Sequence, residues 1–518
     1  MFPKINPTTT QAWKKLEDHF QANNHLSKKR DLTFFKKELC SQFLVDYQYG
    51  LWNERTIALL LELAQECKLP DAIDALFSGN KINETENRAV LHTALRDFSP
   101  LPLYVDGTNI KPEIQAEREK IKTFVEKIHA GIILGSTGKK INTIVNIGIG
   151  GSAIGPRMVV NALEKYRKPE IQVHYISSIE ADPIVSLLPN LDMERTLFLI
   201  VSKTFTTLET MTNASLVKSY FIEHLGEAAW PQHVLGITAR PEKAMSFGVP
   251  KENTFLFWDW ICGRFSLWGS VGLSIALAIG YENFEKLLKG AEETDIHFKT
   301  QEFSENIPVL HALLGIWYTN FHGCQTSAII PYNHALRELK LYLQQAAMES
   351  NGKSVDRNGH PVDYATCPVI WGEVGNDAQH SFFQLLHQGT NLIPADFILI
   401  ENQSHNYPDS HHYLLANYNA QILALTDGRD KQATKKYLNN QGIKISENTI
   451  LHRVFPGGKP VTPLRLQELT PQSLGSLLAM YEHTYFVQGV IWNVYSFDQW
   501  GVELGKTLVN TLSSIETN

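Results

Sequence analysis

The sequence predicts an α/β protein with two mainly parallel sheets flanked by helices, and with helical extensions at its N- and C-terminal ends. Three observations carry that expectation. Short apolar runs alternate with helical stretches over residues 120–288, the alternation restarts over 289–518, and residues 1–119 keep helical spacing. At roughly 100–200 residues per domain, a chain of 518 residues that is 43% hydrophobic can fill the cores this division needs.

In the N-terminal segment, MFPKINPTTTQAWKKLEDHF reads as a helix start with threonine caps and periodic Trp13, Leu16 and Phe20, without the apolar core of a secretory signal. TIALLLELAQECKL and ENRAVLHTALRDF also repeat apolar residues at helical intervals, the second behind Asn83 and Thr85 as capping candidates. In the middle segment NTIVNIGIG, IQVHYISSI, TLFLIVSKT, HVLGITAR and TFLFWDW are strand candidates, separated by helical GPRMVVNALEKY and LETMTNASLVKSYFIEHL. Strands and helices in alternation imply a parallel sheet covered on both faces. After an expected linker at 287–305, HALLGIWYTNFH, TSAIIPY, LRELKLYLQQAAMES, HSFFQLLHQG, ADFILIEN and HYLLANYNAQILAL repeat the mixture, and SLGSLLAMYEHTYFVQGVIW forms a helical tail.

Several function classes drop out. A net charge of −7 gives no basic field for nucleic acid or an anionic membrane, so an anion must be held by a few local donors. No segment has the ~20 unbroken apolar residues of a membrane helix. Cys40, Cys67, Cys262, Cys324 and Cys367 are odd in number, dispersed and without a CxxC pair, which speaks for reduced thiols and against structural zinc. The His405, Asp409, His411, His412 cluster fits no zinc motif, so no metal is expected, and the compartment expected is the cytoplasm.

Two strand-to-helix junctions are suited to phosphate. NIGIGGSAIGP brings Gly148, Gly150, Gly151 and Ser152 to the end of TIVNI, where glycines let backbone amides close on an anion. The same loop satisfies a relaxed dinucleotide fingerprint through Gly148, Gly150 and Ala153, with Glu180 on a later strand. SKTFTTLET decides for phosphate, because Ser202, Lys203, Thr204, Thr206 and Thr207 crowd donors and a cation into six residues, far more than a single N-cap requires.

Catalytic candidates are spread more widely. Leu336, Leu339, Leu343 and Met348 mark an apolar stripe, which sets Gln345 and Glu349 one turn apart on another face. Glu349 then closes the helix before Ser350, Asn351 and Gly352, at the dipole end that opposes a carboxylate. It is either a base held in a site or a surface residue paired with Lys353. Arg264 follows Gly263 among aromatic residues, where a permanent cation needs an anionic partner. His380 and His387 are seven apart on an expected helix, and SFDQWGVELGK offers Gln499, Glu503 and Lys506.

Taken in order, KINETENRAVLHTALR, VNIGIGGSAIGP, VSKTFTTLET, DWICGRFSLWGSVGLS, YLQQAAMESNGKSV, AQHSFFQLLHQGT and SFDQWGVELGK resemble the glucose-6-phosphate isomerase (phosphoglucose isomerase) family over nearly the whole chain. The resemblance implies two sugar-isomerase (SIS) domains, a homodimer, no cofactor, and interconversion of glucose 6-phosphate and fructose 6-phosphate in glycolysis and gluconeogenesis. It implies Gly151, Ser152, Ser202, Lys203, Thr204, Thr206 and Thr207 as the phosphate cradle, and Glu349 as the base moving a proton between C1 and C2. Gln345 is implied beside that base, Arg264 as stabiliser of the enediolate, and Gln499 as a ligand-ordering amide. His387, supplied across the dimer interface, and Lys506 are implied as the ring-opening pair. The chain departs from the family wording at Cys262, where a glycine is expected, at Ala346 and Ala347, and at GEVGNDAQH; a side chain at 262 is expected to narrow the Arg264 loop.

Overall fold

The structure is a computed structural model and describes residues 2–22, 36–40, 43–444 and 446–515. In chain order its strands are β1 (Lys36–Cys40), β2 (Phe43–Asp46), the hairpin pair β3 (Tyr104–Val105) and β4 (Thr108–Asn109), β5 (Thr143–Ile147), β6 (Gln172–Ile176), β7 (Thr196–Val201), β8 (Val234–Thr238), β9 (Thr254–Leu256), β10 (Thr326–Pro331), β11 (Val369–Gly372), β12 (Ala395–Ile400) and β13 (Val461–Leu466).

The first sheet runs β6-β5-β7-β8-β9, parallel throughout. Every residue of β5, β7 and β8 is buried, as the continuous apolar runs require of strands covered on both faces. Alternate side chains divide between two cores. Val145, Ile147, Phe198 and Ile200 meet Val217, Phe221 and Trp230, whereas Ile144, Leu197 and Leu199 face the main core. The chain reverses its winding between β5 and β7, and in open α/β sheets ligands bind beyond the carboxyl ends of strands at such a switch point.

The second sheet runs β1-β2-β13-β12-β10-β11, with β10 to β13 parallel and β1 and β2 added antiparallel at one edge. The N-terminal segment is therefore not wholly helical as expected. Its strand β2, FLVD, carries three buried residues of four, and pairing with β13 satisfies its backbone. ENRAVLHTALRDF likewise forms only the short 3-10 turns Glu84–Glu86 and His92–Arg96. Residues 89–96 are all buried, so the segment threads the core and has no outer face for an amphipathic helix.

The boundary at 288 and the larger part of the expected linker, 287–300, fall inside one helix, Tyr281–Thr300. It packs on the helix Pro471–Ile491, which is buried along nearly its whole length. Glycines make the approach possible: a Cβ on Gly290 would sit 1.9 Å from the Gln472 carbonyl oxygen, and one on Gly475 would sit 2.0 Å from that of Leu287. Arg96 ties the same helices together, donating to Asp295 and Glu482 from a fully buried position.

Candidate active site

Both predicted phosphate loops lie at the switch point. Gly150 adopts φ 58°, which glycine reaches without strain, and a Cβ there would come within 3.1 Å of Gln345 Nε2. Gly151 packs directly on the Arg264 loop, since a Cβ would stand 2.0 Å from the Gly263 carbonyl oxygen and 2.7 Å from the Arg264 amide nitrogen. Ser152 ends a 3-10 turn whose carbonyl accepts from Asn146, and the helix Ile154–Ala162 begins two residues on.

At the end of β7, Thr207 is the N-cap of the helix Leu208–Leu225 but makes no side-chain capping bond. Its hydroxyl pairs instead with Ser202 Oγ at 3.0 Å, and Thr206 donates to Thr204 at 2.8 Å. The hydroxyls thus face one another and not the helix, so a plain N-cap does not account for the cluster. Between them Phe205 holds φ 52°, a strained value for a bulky residue, with its ring buried against Phe247. Lys203 departs from the expectation of a cradle cation. Its ammonium donates to the carbonyls of Asp259 and Ile261 at 2.8 Å each, and burial lowers its pKa. In this structure it fastens the loop that leads to Arg264.

Arg264 is almost fully buried and saturated with acceptors. Nε donates to Ser350 Oγ at 2.7 Å, Nη1 to Gln499 Oε1 at 3.1 Å, and Nη2 to the carbonyls of Ser496 (2.5 Å) and Asp498 (3.1 Å). Nη1 also lies 3.7 Å from Glu349 Oε2, a charge contact beyond hydrogen-bond reach. The guanidinium is the compensation that a carboxylate near a helix C-terminus requires. Lys353 is not the partner of Glu349; its ammonium is held by Ser350, Tyr495 and Asp498. The expected Glu349–Lys353 surface pair is therefore not formed, and the cation nearest Glu349 is Arg264.

The local helix explains the placement. After the α-helical turn Leu339–Gln344 the backbone widens to a π turn over Gln345–Glu349, and helix resumes at Ser350 and Asn351. Glu349 is thus not the last helical residue. An i→i+5 turn holds an extra residue, a bulge frequent at functional sites. It puts Ala346 and Ala347 in the core and turns Met348, expected on the apolar stripe, out to the surface. Gln345 and Glu349 bracket this turn. Gln345 Oε1 is buried without a partner, so an acceptor is left unsatisfied beside Gly150.

Cys262 has a defined role in this geometry. It is buried, and its thiol donates to the Phe497 carbonyl at 3.2 Å, which joins the Arg264 loop to the 495–499 turn. Cys67, Cys262, Cys324 and Cys367 are free thiols, and the Cys40 side chain lies outside what the structure describes.

His387 and Lys506 stand apart from this cluster. The expected helix through His380 breaks into Gly375–Gln379 and Phe383–Gln388, so the two histidines share no face. His387 Nε2 bonds Gln421 Oε1 at 2.8 Å, Nδ1 is buried without a partner, and desolvation lowers the imidazole's pKa. Its contacts are to Gln421, Phe383 and Phe455, all in the second unit. Lys506 lies exposed on the helix Glu503–Ile515 and bonds Glu503 at 2.7 Å. A cavity of about 690 Å³ lies between residues 116–134 and the amino-terminal ends of β7 to β9, and none of these groups lines it. Among the described residues no cluster of three or more histidine, cysteine or acidic side chains is placed to hold a metal ion, and no helix is long and apolar enough to cross a membrane.

The fold is that of an α/β enzyme with donor-rich loops and a carboxylate–guanidinium contact at the switch point of its first sheet. The family model for phosphoglucose isomerase matches residues 46–518. The chain is 48% identical over 518 residues to a glucose-6-phosphate isomerase of Christiangramia forsetii, covering 98% of this chain and 95% of that one. Its fold matches the crystal structure of a glucose-6-phosphate isomerase from Chlamydia trachomatis with a TM-score of 0.86 at 32% identity, over 99% and 97% of the two chains. A hypothetical protein from Thermus thermophilus, 23% identical, shares the fold with a TM-score of 0.66 over 90% and 98%. The chain belongs to the phosphoglucose isomerase family.

Proposed function

We propose that the chain interconverts D-glucose 6-phosphate and D-fructose 6-phosphate through a cis-enediolate. The observation that carries this reading is the Glu349–Arg264 contact at 3.7 Å, set beside two donor-rich loops at the switch point of a parallel sheet. The backbone at Gly151 and Ser152 and the hydroxyls of Ser202, Thr204, Thr206 and Thr207 hold the phosphate. Glu349 takes the C2 proton of the open-chain aldose and returns it to C1, and Arg264 stabilises the oxyanion that develops between these steps. Gln345 and Gln499 order the hydroxyls.

A cyclic hexose must open first, which calls for an acid at the ring oxygen and a base at the anomeric hydroxyl. His387 and Lys506 are assigned to this step by resemblance. The resemblance implies that His387 serves the site of a second copy of the chain, and its contacts to Gln421, Phe383 and Phe455 and not to the Arg264 cluster are in keeping with that. The exposed stripe Leu504, Leu508 and Leu512 on the helix that carries Lys506 supports burial against such a copy, in a homodimer of the kind the resemblance implies. The compartment proposed is the cytoplasm, as expected for a glycolytic isomerase. Incubation with fructose 6-phosphate in deuterated water tests the reading: isomerisation with exchange at C2 is expected. Absence of both isomerisation and exchange would overturn it.

A further inference from the structure

We infer that Lys353 is a positioning residue for the isomerisation, acting with Asp498 as the strut that fixes the 495–499 turn against the helix bearing Glu349. This rests on the assignment of Glu349 and Arg264 above and adds to it a pair with no assigned part in the chemistry.

One ammonium is used to its full donor capacity. Lys353 Nζ donates to the carbonyls of Ser350 (3.1 Å), Tyr495 (2.6 Å) and Asp498 (3.2 Å) and pairs with Asp498 Oδ1 at 2.9 Å. Ser350 directly follows Glu349 and donates nothing to the turn itself, so Lys353 supplies the cation that bridges the two elements. An ammonium offers three donors, and here they serve four oxygens on opposite sides of the site. Asp498 is itself buried, and its second oxygen accepts from Thr85 at 2.6 Å.

The turn held in this way does two things for Arg264. Its Ser496 and Asp498 carbonyls accept from Nη2, and its Gln499 accepts from Nη1. Lys353 and Arg264 therefore share the Asp498 carbonyl oxygen, and the same guanidinium reaches back to Ser350 through Nε. The loop closes on itself: Ser350, Lys353, Asp498, Arg264, Ser350. Removing the lysine takes away the charged tie between the turn and the Glu349 helix and leaves the neutral bond from Ser496 Oγ to Asn351 Oδ1 at 2.7 Å. The 3.7 Å relation between carboxylate and guanidinium then loses one of its supports, while the phosphate loops at 150–152 and 202–207 keep theirs.

The test separates positioning from simple stability. Lys353→Met leaves a buried carboxylate unpaired and destabilises the fold for that reason alone, so the decisive protein is the double variant Lys353→Met/Asp498→Asn, in which no buried charge is orphaned. Asparagine still accepts from Thr85. With fructose 6-phosphate as substrate, the double variant is expected to recover cooperative unfolding yet lose kcat by about 100-fold, the cost of a misplacement on the order of 1 Å. Its KM is expected to stay within about threefold, since the phosphate contacts are untouched. Lys353→Arg, which keeps a cation in the same place, should restore part of kcat. A double variant with the kcat of the unaltered chain, or one that cannot fold cooperatively, would overturn the inference by showing the pair to be dispensable or purely structural. Glu349→Gln is measured alongside. If that variant stays active, the assignment of the base has failed; if it is inactive and the double variant is not, only the strut has failed.

Discussion

Arg264 Nη1 stands 3.7 Å from Glu349 Oε2, and the guanidinium donates its hydrogen bonds elsewhere, to Gln499, Ser350 and two carbonyls. The carboxylate is thus stabilised by a nearby charge and keeps its lone pairs free for a substrate proton. Glu349→Gln preserves the shape and removes the base. It should leave thermal stability and binding of a phosphorylated sugar alcohol nearly unchanged while lowering kcat by about 10²–10⁴-fold. Steady-state kinetics with calorimetric binding checks this, and near-normal turnover would place the base elsewhere.

The two glycines where the loops touch should behave in opposite ways. Gly151→Ala forces a methyl to within 2.0 Å of the Gly263 carbonyl, and backbone on both sides must shift. A loss of about 1–3 kcal/mol in stability is expected, together with a fall in kcat/KM of more than about tenfold. Gly263→Ala places its methyl in space open to 4 Å. It should melt like the unaltered chain and show its effect only in KM. Equal destabilisation of both variants would contradict the loop contact.

Why some of this was readable in the sequence and some was not follows from distance along the chain. The strands announce themselves by local apolar runs, and GIGGS and SKTFTT by local density of glycines and hydroxyls, so their meeting at the switch point was legible once the strand order was assumed. The π turn was not. One extra backbone residue between Gln345 and Glu349 reverses the burial of Ala347 and Met348, and no side chain in the segment signals it. The linker expected at 287–305 falls largely on the helix Tyr281–Thr300, whose close packing depends on Gly475, far along the chain. The contacts of Cys262 and Lys353 were hidden for the same reason, since their partners are Phe497 and Asp498.

In the cradle, Thr207→Val tests whether the hydroxyl serves ligand or helix. The Thr207 side chain makes no capping bond, so the change should cost less than about 0.5 kcal/mol in stability, where loss of a true cap costs ~1 kcal/mol. A hydrogen bond to a charged phosphate contributes about 1.5–3 kcal/mol, so KM for fructose 6-phosphate should rise by roughly tenfold or more with kcat retained. A drop in stability with unchanged KM would return Thr207 to the role of a cap.

Acid sensitivity should come from histidines that burial keeps neutral. Desolvation pushes His297 and His322 down to about 4, and His297 Nε2 accepts from the Ile307 amide at 3.1 Å, a bond the protonated ring cannot make. A histidine in the unfolded chain titrates near 6.5. Between that value and about 4 the unfolded state binds the extra proton, so stability is complete above pH 6.5 and is lost as pH falls through that window. At pH 5 each ring should have cost about 1–2 kcal/mol relative to pH 7 once partial solvent screening is allowed for. His322 packs edge-on against Phe20 and Trp317, so His322→Phe keeps an aromatic ring there and removes the proton site. Urea unfolding at pH 7 and pH 5 should show a smaller acid-induced fall for His322→Phe than for the unaltered chain. Parallel falls in the two proteins would mean that His322 is protonated as readily in the folded state as in the unfolded one.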